Sequence, residues 1–154
     1  MMNDKLLLHD SETLKHIQKV RENIMKLVFE LDDRAQKHDK SKLESPEREI
    51  FAEVPATELA KCRYASPEYH SLLDKLKPAL DHHYAKNRHH PNHFVNGIEE
   101  MDLVDLLEML CDWLAATERN KDGNIHNSIK INTQRHNISP QLSKILSNTV
   151  NRYF

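Results

Sequence analysis

Five of this chain's eleven histidines fall in one stretch, Asp81-His82-His83-Tyr84-Ala85-Lys86-Asn87-Arg88-His89-His90-Pro91-Asn92-His93, and a His38-Asp39 pair lies upstream of it. Imidazole and carboxylate are the ligands that suit zinc, iron and manganese, so these residue types point to a metal site. A run of solvated, titrating surface histidines is the competing explanation, and composition alone leaves it open. Lys37, Lys40 and Lys42 surround His38-Asp39. Such a cluster can hold one phosphate group, or can simply solvate a helix end.

The spacings define which of these residues can meet. His38 and Asp39 are adjacent, about 100° apart on a helix, and converge on one ion only near a helix end or a distortion. His83 and His90 are seven residues apart, as are His82 and His89, so each pair shares a face if a helix continues through Asn87. Pro91 makes the next turn non-helical, which leaves His93 to swing back toward the cluster or to face water. Glu108 and Asp112 stack on one side of a helix, with Asp102 and Asp105 on that side and Leu103, Leu106, Leu107, Leu110 and Leu114 opposite. Periodicity by itself makes that acidic stripe a solvated face. His16 sits at the edge of the apolar stripe of its helix, where an inward histidine is commonly a hydrogen-bonded core residue.

The elements that must position these side chains are helices. The chain has only two glycines, Gly97 and Gly123, and no sustained alternation of apolar and polar residues, so hairpins have almost no turn chemistry to use. An all-α fold follows, a single-domain bundle of five to six helices. Ser45-Pro46-Glu47, Ser66-Pro67-Glu68 and Ser139-Pro140 each place a capping hydroxyl before a proline at a helix start. The spacing of Leu14, Ile17, Val20, Ile24, Leu27 and Leu31 predicts a first helix from about Ser11, with a short second helix leading into His38-Asp39. Others are predicted over about 46 to 61, 67 to 85, 101 to 119, and 125 to 152 in one or two pieces. Breaks are expected at Pro55, Pro91 to Gly97 and Lys121-Asp122-Gly123, and a kink at Pro78. Residues 1–10 read as a loose arm and 11–154 as the one domain.

Composition sets the outer limits. A domain of 154 residues buries about 70% of the surface of its unfolded chain, and so needs no disulfide staples. Cys62 and Cys111 form no CxxC, and Leu6-Leu7-Leu8 is too short for a signal-peptide core, so a cytoplasmic protein without membrane segments is expected. With 22 lysines and arginines against 24 acids the net charge is −2, which supplies no field for a long nucleic acid but leaves small anionic ligands open. There is no Gly-rich phosphate loop and no dinucleotide fingerprint, so nothing written here selects the substrate. Tyr64, Tyr69, Tyr84 and Trp113 can stack on a base, or serve as core and rim aromatics.

In this order, a histidine on the first helix, a His-Asp doublet, further histidines on middle helices and a late aspartate resemble the HD-domain superfamily of metal-dependent phosphohydrolases. The segments His38-Asp39-Lys40-Ser41-Lys42-Leu43, Asn87-Arg88-His89-His90-Pro91-Asn92-His93-Phe94 and Glu108-Met109-Leu110-Cys111-Asp112-Trp113 look still more like a family of small HD-like proteins from bacteria and their viruses. The likeness spans about residues 11 to 150. It implies one or two divalent ions (Mn, Fe, Zn, Mg, Co or Ni). One would be held by His16, His38, Asp39 and Asp112. A second would share Asp39 and take histidines of the 82–93 cluster, His83 and His90 first, with His82, His89 and His93 behind them.

The implied activity is hydrolysis of a small phosphate ester, for example a nucleotide. Lys42 would take up charge on the phosphoryl oxygens and Glu108 would orient the attacking water, alongside the catalytic carboxylate of Asp39. Ser41 stands where the cyclic-dinucleotide phosphodiesterase branch carries glycine, so that branch is not implied. Two other readings accompany this one: a di-iron oxygenase of the same superfamily, and a non-catalytic helical accessory module with a structural metal.

The expectation that His16 and His38 share an ion has a geometric consequence. One unbroken helix would separate them by about 33 Å at about 1.5 Å per residue. The chain must therefore reverse near Phe29 to Asp33, with Asp32 or Asp33 capping a short returning helix.

Overall fold

The protein is described by a computed structural model covering residues 2–54, 58, 66–119 and 122–154. Among the described residues there are six α-helices and no strand, so the fold is all-α. They are α1 (Met2–Lys37), α2 (Glu47–Glu53), α3 (Pro67–Lys86), α4 (Leu103–Glu118), α5 (Ile125–Arg135) and α6 (Pro140–Tyr153). Short 3-10 turns cover Lys40–Leu43, Pro91–His93 and Gly97–Glu100. By backbone contacts the chain forms two compact units, Met1–Lys37 and His38–Phe154.

The first unit is the single helix α1, and it corrects two expectations. Residues 2–10, read as a loose arm, are its opening turns. The reversal expected near Phe29 to Asp33 does not form, because no glycine or proline interrupts the segment. Asp32 accepts a hydrogen bond from Gln36 Nε2 at 2.8 Å, and Asp33 pairs with Lys37 Nζ at 2.7 Å. These are i,i+4 pairs that continue a helix, where a cap would start a new one. His16 thus lies about 32 Å of helix before Lys37 at about 1.5 Å per residue. It is exposed, as are Ile17, Val20, Ile24 and Leu27.

The second unit has its core where α4, α5 and α6 meet. Met109, Leu110 and Trp113 of α4 pack with Ile129 of α5, Ile138, and Leu146 and Val150 of α6. The leucine face inferred from periodicity is therefore rotated. Leu103 and Leu107 are exposed, while Met109 and Trp113 are buried. Trp113 is accordingly a core aromatic. Cys62 and Tyr64 lie outside the described residues, as do Pro55, Lys121 and, residue 58 apart, the expected helix beyond Val54 as far as 61.

Helix starts follow the chemistry of the caps. Ser66 accepts from Tyr69 N and Ser139 from Leu142 N, each at 3.2 Å. Asp102 and Asp105 form a reciprocal capping box at the start of α4. Ser45 departs from expectation: the Ser45–Pro46 peptide is cis and Pro46 takes the N-cap position, without a side-chain cap bond. Helix α3 runs through Pro78 and ends at Lys86, with Asn87 in extended backbone. Since no helix passes through Asn87, any meeting of His83 with His90 or of His82 with His89 cannot come from a shared helix face.

Candidate metal centre

The site is assembled at helix ends. Immediately after α1, Asp39 adopts φ 56° and ψ 13°, a left-handed conformation uncommon outside glycine but tolerated by Asp. This is the distortion that adjacent His38 and Asp39 need in order to converge. Lys42 N donates to the Asp39 carbonyl at 2.9 Å and closes the turn. His83 is on the last turn of α3. His89 and His90 follow once the chain has left the helix, and His90 is in extended backbone.

Four atoms converge there. Asp39 Oδ1, His83, His89 and His90 each offer a ligand atom, all within 4.8 Å of one another. His83 Nε2 lies 3.3 Å from Asp39 Oδ1, His89 Nε2 lies 3.5 Å from the same oxygen, and the Nε2 atoms of His83 and His90 are 2.8 Å apart. Legs of about 2.0–2.2 Å give ligand–ligand edges of about 3.3–3.6 Å in a tetrahedral ion and about 2.8–3.1 Å in an octahedral one, so the short His83–His90 separation suits a small divalent cation with more than four positions, not all of them filled by these residues. Asp39 Oδ1 and His89 Nε2 are buried and, among the described residues, have no hydrogen-bond partner. Buried polar atoms are rarely left unsatisfied, and two of them aimed at one point are what an ion would complete.

Protonation favours ligation at this group. Burial, then the neighbouring His89 and His83, push His90 down to about 3. Burial likewise lowers His83. Both rings are therefore neutral, the form that binds a cation.

Glu47, which sequence reasoning did not single out, fixes which nitrogen of His83 faces the centre. It is wholly buried, and its Oε2 accepts from His83 Nδ1 at 2.8 Å and from the Ser41 hydroxyl at 3.0 Å, while its Oε1 accepts from His82 Nδ1 at 2.7 Å. Burial pushes Glu47 up, but the donors His82, Ser41 and His83 outweigh it and hold the carboxylate ionised. With its Nδ1 proton committed to Glu47, His83 presents the Nε2 lone pair to the centre. Asn87 braces the same corner, donating to Ser41 Oγ and to the His83 carbonyl, each at 2.8 Å. The adjacent His82-His83 doublet was the available signal, since each imidazole held by a centre needs an acceptor behind it.

A second, oxygen-richer group adjoins the first. His38 Nε2 is 3.6 Å from Asp39 Oδ2 and 3.7 Å from Asp112 Oδ1, and the three residues can reach a common ion. The flanking carboxylates of Asp112 and Glu108 push His38 up to about 10. Of the acidic stripe of α4 only Asp102, at the N-cap, is solvated, with 60% of its side chain exposed. Glu108 keeps 10% of its side chain exposed and Asp112 24%. Asp105 is wholly buried, receiving both Arg88 Nε at 3.1 Å and Arg88 Nη2 at 2.8 Å.

Several expected roles shift. Glu108, expected to orient water, has its Oε1 behind two rings, 2.8 Å from His38 Nδ1 and 3.1 Å from His89 Nδ1. It holds imidazoles in place. His89 joins His83 and His90 in the group, whereas His82 turns to Glu47 and His93 Nδ1 donates to the Tyr84 carbonyl at 2.8 Å. His16 belongs to none of the ligand groups found among the described residues. Lys42 stands at the rim, with Nζ 2.6 Å from Asp39 Oδ2 and 41% of its side chain exposed. Tyr84 packs its ring against those of His83 and His90.

No helix among the described residues is long and apolar enough to cross a membrane. Neither the curated proteins nor the solved structures contain a match to the chain. One family model matches residues 5–152, nearly the whole sequence and every residue of the centre just described, and the chain therefore belongs to that family, DUF5662, whose function is unknown.

Proposed function

We propose that this chain is a metal-dependent phosphohydrolase of HD type acting on a small phosphate ester. The observation that carries the reading is the convergence of Asp39 Oδ1 and three imidazole Nε2 atoms, two of these four atoms being buried without a partner. Three nitrogens and one carboxylate oxygen suit a borderline divalent ion such as zinc, iron or cobalt better than the hard ions magnesium and manganese. When bound, such an ion supplies a deprotonated water near neutral pH and a positive charge beside the phosphoryl group.

The chain's own residues supply the rest. Glu47 and Glu108 hold His83, His89 and His38 with their Nδ1 atoms turned away from the centre. Lys42, at the exposed rim, has the stem length to turn its Nζ from Asp39 to a phosphoryl oxygen and offset the charge developing there. The sequence has no field for a long polyanion, at a net charge of −2, so a small ester is the substrate class it suits.

The test is to measure metal content by elemental analysis of the purified protein, together with phosphate release from an aryl phosphate and oxygen uptake. Bound metal with phosphate release supports the proposal. Bound iron with oxygen uptake and no phosphate release moves the chain to the oxygenases. Metal without either reaction reduces the centre to a structural one, and a protein that binds no divalent ion removes the centre altogether.

A further inference from the structure

The two carboxylate oxygens of Asp39 have different surroundings. Oδ1 lies 3.3 Å from His83 Nε2 and 3.5 Å from His89 Nε2, in the group that His90 completes. Oδ2 faces the other way, toward His38 Nε2 at 3.6 Å, and receives Lys42 Nζ at 2.6 Å. Asp112 Oδ1 is 3.7 Å from the same His38 nitrogen, so His38, Asp39 and Asp112 outline a second cation position beside the first. The two groups share Asp39 but not an oxygen, and the oxygen on the second side, Oδ2, is already engaged by an ammonium.

Both cations would need Asp39 Oδ2. An ion bound there sits about 2.0–2.2 Å from the oxygen. An ammonium held by the same oxygen at 2.6 Å would then lie beside a divalent charge in a part-buried site, where like charges repel far more strongly than in water. Lys42 can leave. Its side chain is 41% exposed and carries four rotatable methylenes, while Asp39 is fixed by the Lys40–Leu43 turn.

We propose that Lys42 sets the number of ions this centre holds: its Nζ stands on Asp39 Oδ2 as a tethered monovalent cation and closes the His38–Asp39–Asp112 position to a second divalent ion. The inference rests on reading the imidazole-rich group as a metal site. It makes the resting protein a one-ion protein with a vestibule for a second, controlled by a single side chain.

The experiment titrates the full chain with manganese and, separately, zinc, counting ions per chain by elemental analysis after equilibrium dialysis and following both binding steps by calorimetry. The wild-type chain is expected to hold one ion tightly. Lys42→Met, which keeps the stem and removes the charge, is expected to hold two, the second at least tenfold tighter than any second ion in the wild type. Lys42→Arg retains a cation and should stay at one. Lys42→Met combined with Asp112→Asn should lose the second ion and keep the first, which locates the gain. Equal stoichiometry and equal second-step affinity in wild type and Lys42→Met, whether at one ion or two, overturns the proposal. No binding to either chain overturns the metal reading itself, a separate result.

Discussion

Glu47 is the place where a small chemical change should weaken the centre without dismantling the fold. Its carboxylate accepts three hydrogen bonds at 2.7, 2.8 and 3.0 Å from His82, His83 and Ser41. Glu47→Gln preserves the volume but leaves one acceptor oxygen and one NH2. If the amide nitrogen faces His82, that half-exposed ring can change tautomer at little cost. The remaining oxygen then still serves His83, but without a negative charge. If the nitrogen faces His83, the ring must move its proton to Nε2, the atom that would ligate.

Either way His83 becomes a poorer ligand, and loss of such an outer partner typically weakens metal binding by about 10- to 100-fold. That corresponds to about 1.4–2.7 kcal/mol. Replacing charged by neutral hydrogen bonds costs the metal-free fold roughly 1–3 kcal/mol, an amount a domain of this size survives. Competition against a chelator of known affinity gives the binding ratio, and urea unfolding of the chelated protein gives the stability term separately. A folded Glu47→Gln chain that binds zinc as tightly as the wild type refutes the role given to Glu47 here.

Four further outcomes are expected. Asp39→Asn keeps the side-chain size but removes the charge both ligand groups share, so metal affinity should fall by roughly 100-fold or more and phosphate release should vanish, while far-ultraviolet circular dichroism stays unchanged. Asp74→Asn, an exposed residue of α3, should alter neither. His16→Ala should leave metal affinity intact as measured by the same chelator competition; a loss would show that α1 does not have the continuous form described above. Asp105→Ala removes a capping-box partner and the acceptor of the Arg88 fork, which should cost about 2–4 kcal/mol. Thermal unfolding should then shift down by roughly 5–15 °C.

The helical class and most helix limits were legible because they depend on local chemistry. Two glycines, the serine caps before Pro67 and Pro140, and the Asp102 start are all read within a few residues. Long-range polar contacts leave no such trace. Glu108 and Asp112 look solvated by periodicity, because an amphipathic pattern places every carboxylate on the water side; here imidazoles 2.8 to 3.7 Å away replace the water. Glu47 looked like an ordinary acid in a first helical turn, and only the fold brings His82 and His83 against it. His83 and His90 do meet, at 2.8 Å between their Nε2 atoms, but not by the helical route that their spacing suggests. That route extrapolates helical spacing through Asn87, whose side chain instead bonds the last turn of α3 and lets His89 and His90 fold back. His16 was assigned through resemblance alone, and the unbroken run from Val28 to Lys37 was the sequence evidence against it.

The position of Asp39 joins stability to chemistry. A non-glycine residue at φ 56° carries a backbone cost of about 1–2 kcal/mol, which glycine would avoid. A carboxyl group on that residue adds a second cost, because Asp39 Oδ1 is buried without a hydrogen-bond partner among the described residues. The Lys42 contacts at the backbone and at Oδ2 recover part of this; burial pushes the Asp39 carboxyl up, but the Lys42 ammonium with His38 and His83 outweighs it and holds the group below the usual carboxylate range. What they cannot satisfy is Oδ1, which points away from Lys42 toward His83, His89 and His90. A turn selected for stability alone would place glycine here and leave three histidines without their carboxylate; the chain keeps the aspartate, and the residual cost falls on the one oxygen that a cation would satisfy.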